Sequence, residues 1–311
     1  MSEVRTPPVV AALDIGGTKT AAALVTRQGE VVDRITVPTP GRAGATAIID
    51  TAADLVARLR ARAMGTRVSA LGVGSAGVID HRTGRVLSAT DALAGWAGTD
   101  LSGRLRALLD LPVTAINDVH AHALGEARHG AAAGHQTLLL IAVGTGIGAS
   151  FVVDGSALTG AHSAAGHAGH QPSPYAGRLR CTCGGQGHLE AIASGPGLAE
   201  EYARRTGQPV GDLRAVAVRA ADGDPIAREV VLLGGAAVGS AVGGLVNMLD
   251  PAVVVIGGGV AGLGDAWWQA LRDAVRRETL PVLDDVPVLA STLGSDAPLL
   301  GAAALAWEGT A

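Results

Sequence analysis

Apolar residues come along this chain in short runs that stop at glycine-rich turns, and the spacing within the runs changes in a regular way. Val9 to Leu13 is an unbroken apolar run closed by Asp14, and the turn Ile15-Gly16-Gly17-Thr18-Lys19 separates it from Thr20 to Val25. A second turn, Arg27-Gln28-Gly29-Glu30, leads into Val31 to Val37, so three consecutive strands of an antiparallel meander are predicted. Between Ala45 and Ala63 the period lengthens. Ile48, Ile49, Ala52, Leu55, Val56 and Leu59 fall on one side of a helix, with Arg58, Arg60 and Arg62 largely on the other. A strand at Ala70 to Val73 runs into Gly74-Ser75-Ala76-Gly77, a helix covers Leu101 to Leu109, and the strand Val113 to Ile116 stops at Asn117-Asp118. This order predicts an α/β domain with a mixed sheet.

The pattern then restarts. The strand Thr137 to Val143 ends in Gly144-Thr145-Gly146-Ile147-Gly148, and Ala149 to Val153 follows and turns at Asp154-Gly155. The order strand, glycine-threonine turn, strand, turn repeats that of Leu13 to Gly29, in a register that differs by about a residue. A duplicated unit or two unrelated hairpins would each produce it. Later, Val253 to Ile256 reads as a buried strand feeding a third glycine turn, Gly257-Gly258-Gly259. The uncharged run Val230 to Leu249 approaches membrane-spanning length, but its five glycines, Ser240 and Asn247 read better as a helix packed closely through small residues.

Composition bounds what such a chain can be. Its 311 residues, 48% hydrophobic with mean hydropathy +0.33, suffice for two compact domains with a buried core. The net charge of −4 offers no basic field for nucleic acid, and MSEVRTPPVV lacks the apolar stretch of a leader, so a cytoplasmic protein without a membrane partner is expected. Basic residues are almost all arginine; Lys19 is the only lysine.

The candidate chemistry concentrates in residues 165 to 190, which place His167, His170, Cys181, Cys183, His188 and Glu190 in one glycine-rich segment. Cys181-Thr182-Cys183 is a poor disulfide framework and a better fragment of a metal site. With His170 and His188 it supplies two thiolates and two imidazoles, a complete tetrahedral zinc set; His167 is a rival fourth ligand, and a pair of free thiols is the plainer alternative. The glycine turns at strand ends are places where backbone N–H groups can approach a phosphate. None has the P-loop pattern, and the turn at Gly144 lacks the dinucleotide spacing, so each alone is equally an ordinary tight turn. Asp14 beside the first turn adds a carboxylate able to hold Mg²⁺, commonly through water. Thr18 and Thr145 add hydroxyls, and Lys19 adds a point charge.

The motifs Asp14-Ile-Gly-Gly-Thr-Lys19, Gly144-Thr-Gly-Ile-Gly148, GHxGH at Gly166 to His170, and CxCGxxGxLE at Cys181 to Glu190 together resemble the ROK family of sugar kinases and repressors, in family order from about residue 9 onward. The resemblance implies an actin-like (ribonuclease H-like) ATPase fold: two α/β domains with a duplicated mixed sheet, and a cleft between them for ATP and sugar. Residues 1–118, joined by a C-terminal helix at about 297–311, would form the first domain, and 119–296 the larger second, with the sugar wall and zinc loop. It assigns Asp14, Gly16, Gly17, Thr18, Lys19, Gly144, Thr145, Gly146, Gly257, Gly258 and Gly259 to ATP and Mg²⁺. It assigns Gly77, Asn117, Asp118, His167, His170 and Glu190 to a hexose or N-acetylhexosamine. Asp118 would be the base for the attacking hydroxyl, a role compatible with its other reading as N-cap of a helix Val119 to Glu126.

The family usually has a third cysteine where this chain has His188, and imidazole is an ordinary ligand for the structural zinc implied there. His167 stands where the family's glucokinases carry a glutamate, and its N-acetylmannosamine kinases carry a histidine. That points to ATP-dependent phosphorylation of the 6-hydroxyl of N-acetylmannosamine, with glucose the runner-up; neutral drift within a glucokinase is the alternative. ROK repressors carry a preceding helix-turn-helix module, for which a first strand at about Val9 leaves no room. A homodimer is expected from the resemblance alone.

Overall fold

The computed structural model describes residues 8–63 and 65–310; residues 1–7, read above for a leader, and residue 311 of the expected C-terminal helix lie outside them. In chain order the elements are β1 (Val9–Ile15), β2 (Lys19–Thr26), β3 (Val31–Pro38), α1 (Ala45–Arg62), β4 (Val68–Ser75), β5 (Val78–Ile79), β6 (Val86–Ser88), α2 (Leu101–Leu109), β7 (Val113–Asn117) and α3 (Asp118–His129). There follow β8 (Thr137–Val143), β9 (Ile147–Val153), β10 (Ser156–Ala157), α4 (Glu190–Ala193), α5 (Gly195–Thr206), α6 (Leu213–Ala221), α7 (Pro225–Leu249), β11 (Val253–Gly257), α8 (Asp265–Glu278), β12 (Val288–Ala290) and α9 (Ala297–Glu308).

Contacts gather the chain into two compact units. The first runs up to Gly134 and takes in Val152–Ala165 and the stretch from Leu293; the second is His135–Phe151 with Gly166–Thr292. The first sheet has the order β3-β2-β1-β4-β7, antiparallel across β3, β2 and β1 and parallel across β1, β4 and β7. Its central strand explains the unbroken apolar run. Val9, Ala11, Leu13 and Ile15 face a core with Ile48, Leu55 and Leu59 of α1, while Val10 and Ala12 face Leu299, Ala302 and Ala303 of α9. A strand covered by helices on both faces has no polar side to show. A Cβ on Gly72 of β4 would strike the Ala302 carbonyl, so α9 lies directly on the sheet. The expected boundary at residue 118 falls between β7 and α3, whereas the first unit continues through α3, whose Ala121 carbonyl abuts Gly301 of α9.

The second sheet has the order β10-β9-β8-β11-β12, parallel across β8, β11 and β12 and antiparallel between β9 and β10. Its strand order follows that of the first sheet, with parallel pairs on the same side and an antiparallel pair at the same edge, so the duplication suspected from the turns is one of topology, and the mixed α/β fold with duplicated sheets is the expected one. Helix α7 is long and apolar enough to cross a membrane by composition alone, yet Val230, Gly234, Val238, Val242 and Val246 are buried within the second unit. Its Gly235 and Gly239 meet the backbone carbonyls of Trp267 and Leu271 in α8, the close packing that its small residues predict.

Candidate functional site

In the first unit the candidate residues gather where β1, β4 and β7 end side by side: Ile15 pairs with Ser75, and Ser75 with Asn117. Gly74 lies beside Asp14 in the sheet, and a Cβ there would come within 3.0 Å of Ala121 Cβ, so the first turn of α3 sits tight against the strand ends. Asn117 caps that helix. Its Oδ1 accepts the amides of Val119 at 2.9 Å and His120 at 3.3 Å, while its Nδ2 donates to the Gly77 carbonyl at 3.0 Å and to Asp118 Oδ1 at 2.8 Å. Gly77 has φ +102°, a conformation that favours glycine, and it thereby turns its carbonyl to Asn117. The capping role entertained for Asp118 thus belongs to Asn117, and the helix begins one residue earlier than predicted. Asp118 is its first residue, and its Oδ1 also accepts Val119 N at 3.0 Å.

Asp14 is half-buried, and burial pushes its carboxyl up to about 7; the negative charge of Asp118 adds to the rise, and Lys19 and Arg34 oppose it. Two carboxylates that repel one another in this way make a place where a divalent cation is electrostatically welcome. The turn that follows is firm. Gly16 N donates to Lys19 O at 3.0 Å, and Thr39 Oγ1 donates to Gly16 O at 2.8 Å, while Gly17, Thr18 and Lys19 stay exposed.

In the second unit the two other glycine turns lie at the ends of neighbouring parallel strands, with Ala142 of β8 paired to Gly257 of β11. Gly258 has φ +89°, and a side chain on it would strike Val143, so the turns touch. Gly195 N, at the start of α5, donates to Gly144 O at 2.8 Å. Thr145, Gly146, Gly258 and Gly259 remain exposed.

The cysteine-histidine segment folds into a cluster. One ligand atom from each of His170, Cys181, Cys183 and His188 lies within 4.8 Å of every other. Cys181 Sγ is 3.5 Å from His170 Nδ1, and Cys183 Sγ is 3.2 Å from His188 Nδ1. Bond lengths of about 2.0–2.3 Å in a zinc tetrahedron put its ligand atoms about 3.4–3.8 Å apart, so the donor set fits zinc with little adjustment. Burial pushes the Cys181 thiol up from its ordinary value, which makes a thiolate there one that a cation must stabilise. His167 is outside the four; its exposed ring stacks on that of His170 with centroids 6.0 Å apart.

Glu190 opens α4 beside this cluster. Its Oε2 accepts the Ile147 amide at 2.8 Å and its Oε1 the Thr182 hydroxyl at 2.6 Å. Thr182, Thr39 and the Ile147 amide were not among the residues singled out from sequence. Thr182 carried a signal in its place between the two cysteines; Thr39 and a backbone amide carried none.

Comparison with known proteins agrees with this layout. The ROK family profile matches residues 10–308. A glucokinase of Halalkalibacterium halodurans is 34% identical over 93% of this chain and 92% of its own length. An N-acetylmannosamine kinase of Shigella boydii is 37% identical over 95% of this chain and 97% of its own. Among solved structures, a ROK hexokinase from Thermus thermophilus superposes with TM-score 0.87 at 35% identity, covering 97% of this chain and 99% of that one. A ROK family glucokinase from Streptomyces griseus, in complex with glucose and AMPPNP, superposes with TM-score 0.81 at 30% identity, covering 97% and 100%.

Proposed function

The chain belongs to the ROK family, and from that premise we propose that this sugar kinase transfers the γ-phosphoryl group of ATP to the 6-hydroxyl of N-acetylmannosamine. The observation that carries phosphoryl transfer is the carboxylate pair of Asp14 and Asp118 at the strand ends. Asp118, oriented by Asn117, accepts the proton of the sugar hydroxyl as its oxygen attacks the γ-phosphorus and ADP departs. Asp14 would hold Mg²⁺, which supplies neutralisation of phosphate charge when bound. The turns at Gly16 to Lys19, Gly144 to Gly146 and Gly257 to Gly259 would hold the nucleotide with backbone N–H groups, the Thr18 and Thr145 hydroxyls and the Lys19 ammonium. The AMPPNP in the Streptomyces griseus relative supports ATP as donor.

Gly77, Asn117, Asp118, His167, His170 and Glu190 are read as the sugar contacts. His170, Cys181, Cys183 and His188 are read as a structural zinc site that braces them. The N-acetylmannosamine assignment rests on His167, an imidazole able to donate to an amide carbonyl where an acidic acceptor would suit a hydroxyl. The Shigella boydii relative, at 37% identity, supports it. Glucose is the second reading, favoured by glucokinase relatives at 34% and 32% identity. A cytoplasmic homodimer belongs to the same family-based reading. ADP release measured over N-acetylmannosamine, glucose, mannose and N-acetylglucosamine decides the substrate. The proposal expects the highest kcat/KM with N-acetylmannosamine, and a higher value with glucose refutes it.

A further inference from the structure

Both oxygens of Glu190 are anchored, and the two anchors come from different parts of the second unit. The Ile147 amide, which follows the turn Gly144 to Gly146, takes Oε2, and Thr182, which lies between Cys181 and Cys183, takes Oε1. The slot that admits the carboxylate is narrow: a Cβ on Gly146 would sit 2.7 Å from Oε2, and one on Gly169 3.2 Å from it. We infer that Thr182 is a positioning residue for the sugar, passing the geometry of the four-donor cluster to the Glu190 carboxylate. This rests on the reading of Glu190 as a sugar contact.

A glutamate side chain has three rotatable bonds, and one hydrogen bond to Oε2 leaves its carboxylate free to pivot about that contact. A second bond to Oε1 fixes the plane. Anchoring does not exhaust the group, because each carboxylate oxygen keeps a further lone pair for a sugar hydroxyl. Thr182 suits the task. Its neighbours Cys181 and Cys183 are the cluster's thiols, so its backbone is held on both sides, and its β-branch restricts the hydroxyl to few directions. The competing acceptor, Cys181 Sγ, is 3.9 Å away and is outmatched by a carboxylate oxygen at 2.6 Å. The side chain is otherwise exposed, so positioning is not confounded with core packing.

The test compares Thr182→Val, Thr182→Ser, Glu190→Gln and the Val/Gln double variant of the full chain. Steady-state kinetics are combined with sugar affinity by calorimetry and metal content by atomic absorption, using whichever of N-acetylmannosamine and glucose is the better substrate. Thr182→Val is expected to raise sugar KM and Kd about five- to tenfold, with kcat, ATP KM and metal content unchanged. Thr182→Ser should restore sugar affinity to within about twofold, and Thr182→Val should add nothing in the Glu190→Gln background. The inference is overturned if Glu190→Gln weakens sugar binding while Thr182→Val does not, if the two effects add, or if Thr182→Val lowers affinity only by losing metal. If Glu190→Gln itself leaves sugar affinity unchanged, the sugar-contact reading falls, and the inference with it.

Discussion

Asp14→Asn should make the ligand-free protein more stable, and by an amount that grows with pH. Burial and Asp118 lift the Asp14 carboxyl from 3.8 to about 7. Between those values the folded chain keeps a proton that the unfolded chain has released, so raising the pH costs the folded state stability until the group ionises near 7. A shift of roughly 3 units at about 1.4 kcal/mol each makes this cost about 4 kcal/mol above pH 7, and about 1.5 kcal/mol at pH 5. Asparagine does not titrate. Whatever its amide gains or loses in hydrogen bonding is the same at both pH values, so the difference between them isolates the charge. The stability gap between variant and parent is therefore expected to widen by about 2–3 kcal/mol from pH 5 to pH 8 and to level off beyond 7. Urea unfolding followed by tryptophan fluorescence would measure it, since Trp96 and Trp307 are buried in the first unit. Mg²⁺ with a non-hydrolysable ATP analogue should stabilise the parent more than the variant at pH 8. A gap that stays flat, or that narrows as pH rises, refutes the electrostatic account of this site.

Three further outcomes are expected. Asp118→Asn should cut kcat by about 10²–10⁴-fold while sugar affinity, measured by calorimetry, changes only a few-fold; turnover within tenfold of the parent removes Asp118 as the base. His167→Glu should move the ratio of kcat/KM for N-acetylmannosamine over glucose at least about tenfold toward glucose, and an unchanged ratio removes His167 as the discriminating residue. The purified chain should carry about one zinc, which Cys183→Ser releases, and its removal by a chelator should raise sugar KM more than ATP KM. A chain that binds no zinc at neutral pH contradicts the cluster's assignment.

The elements legible in the sequence are those whose burial is simple. Strand β1 reads as a continuous apolar run because α1 and α9 cover both its faces, and α1 reads as a helix because one stripe of it is buried. The pair β5–β6 and the edge strands β10 and β12 were not foreseen, because two or three residues carry no period and are held by their neighbours. Adjacent Asn117 and Asp118 are both favoured caps. Which one serves depends on where β7 ends, a one-residue matter that spacing does not decide. In the site, the donor types of residues 165 to 190 were legible. That Thr182 and Ile147 anchor Glu190 depends on rotamers and on two glycines leaving room, which no pattern along the chain records.

The placement of α9 also sets an order in time. Synthesis delivers β1 long before α9, yet Val10, Ala12 and Ala70 find their apolar partners in Leu299, Ala302 and Trp307. Until α9 is made, the part of that face left uncovered by α3 is therefore bare, and every residue of the second unit is made before the helix that covers it. The nascent chain must carry that sticky surface from the synthesis of β1 to that of α9, a window in which chaperone capture or aggregation competes with folding.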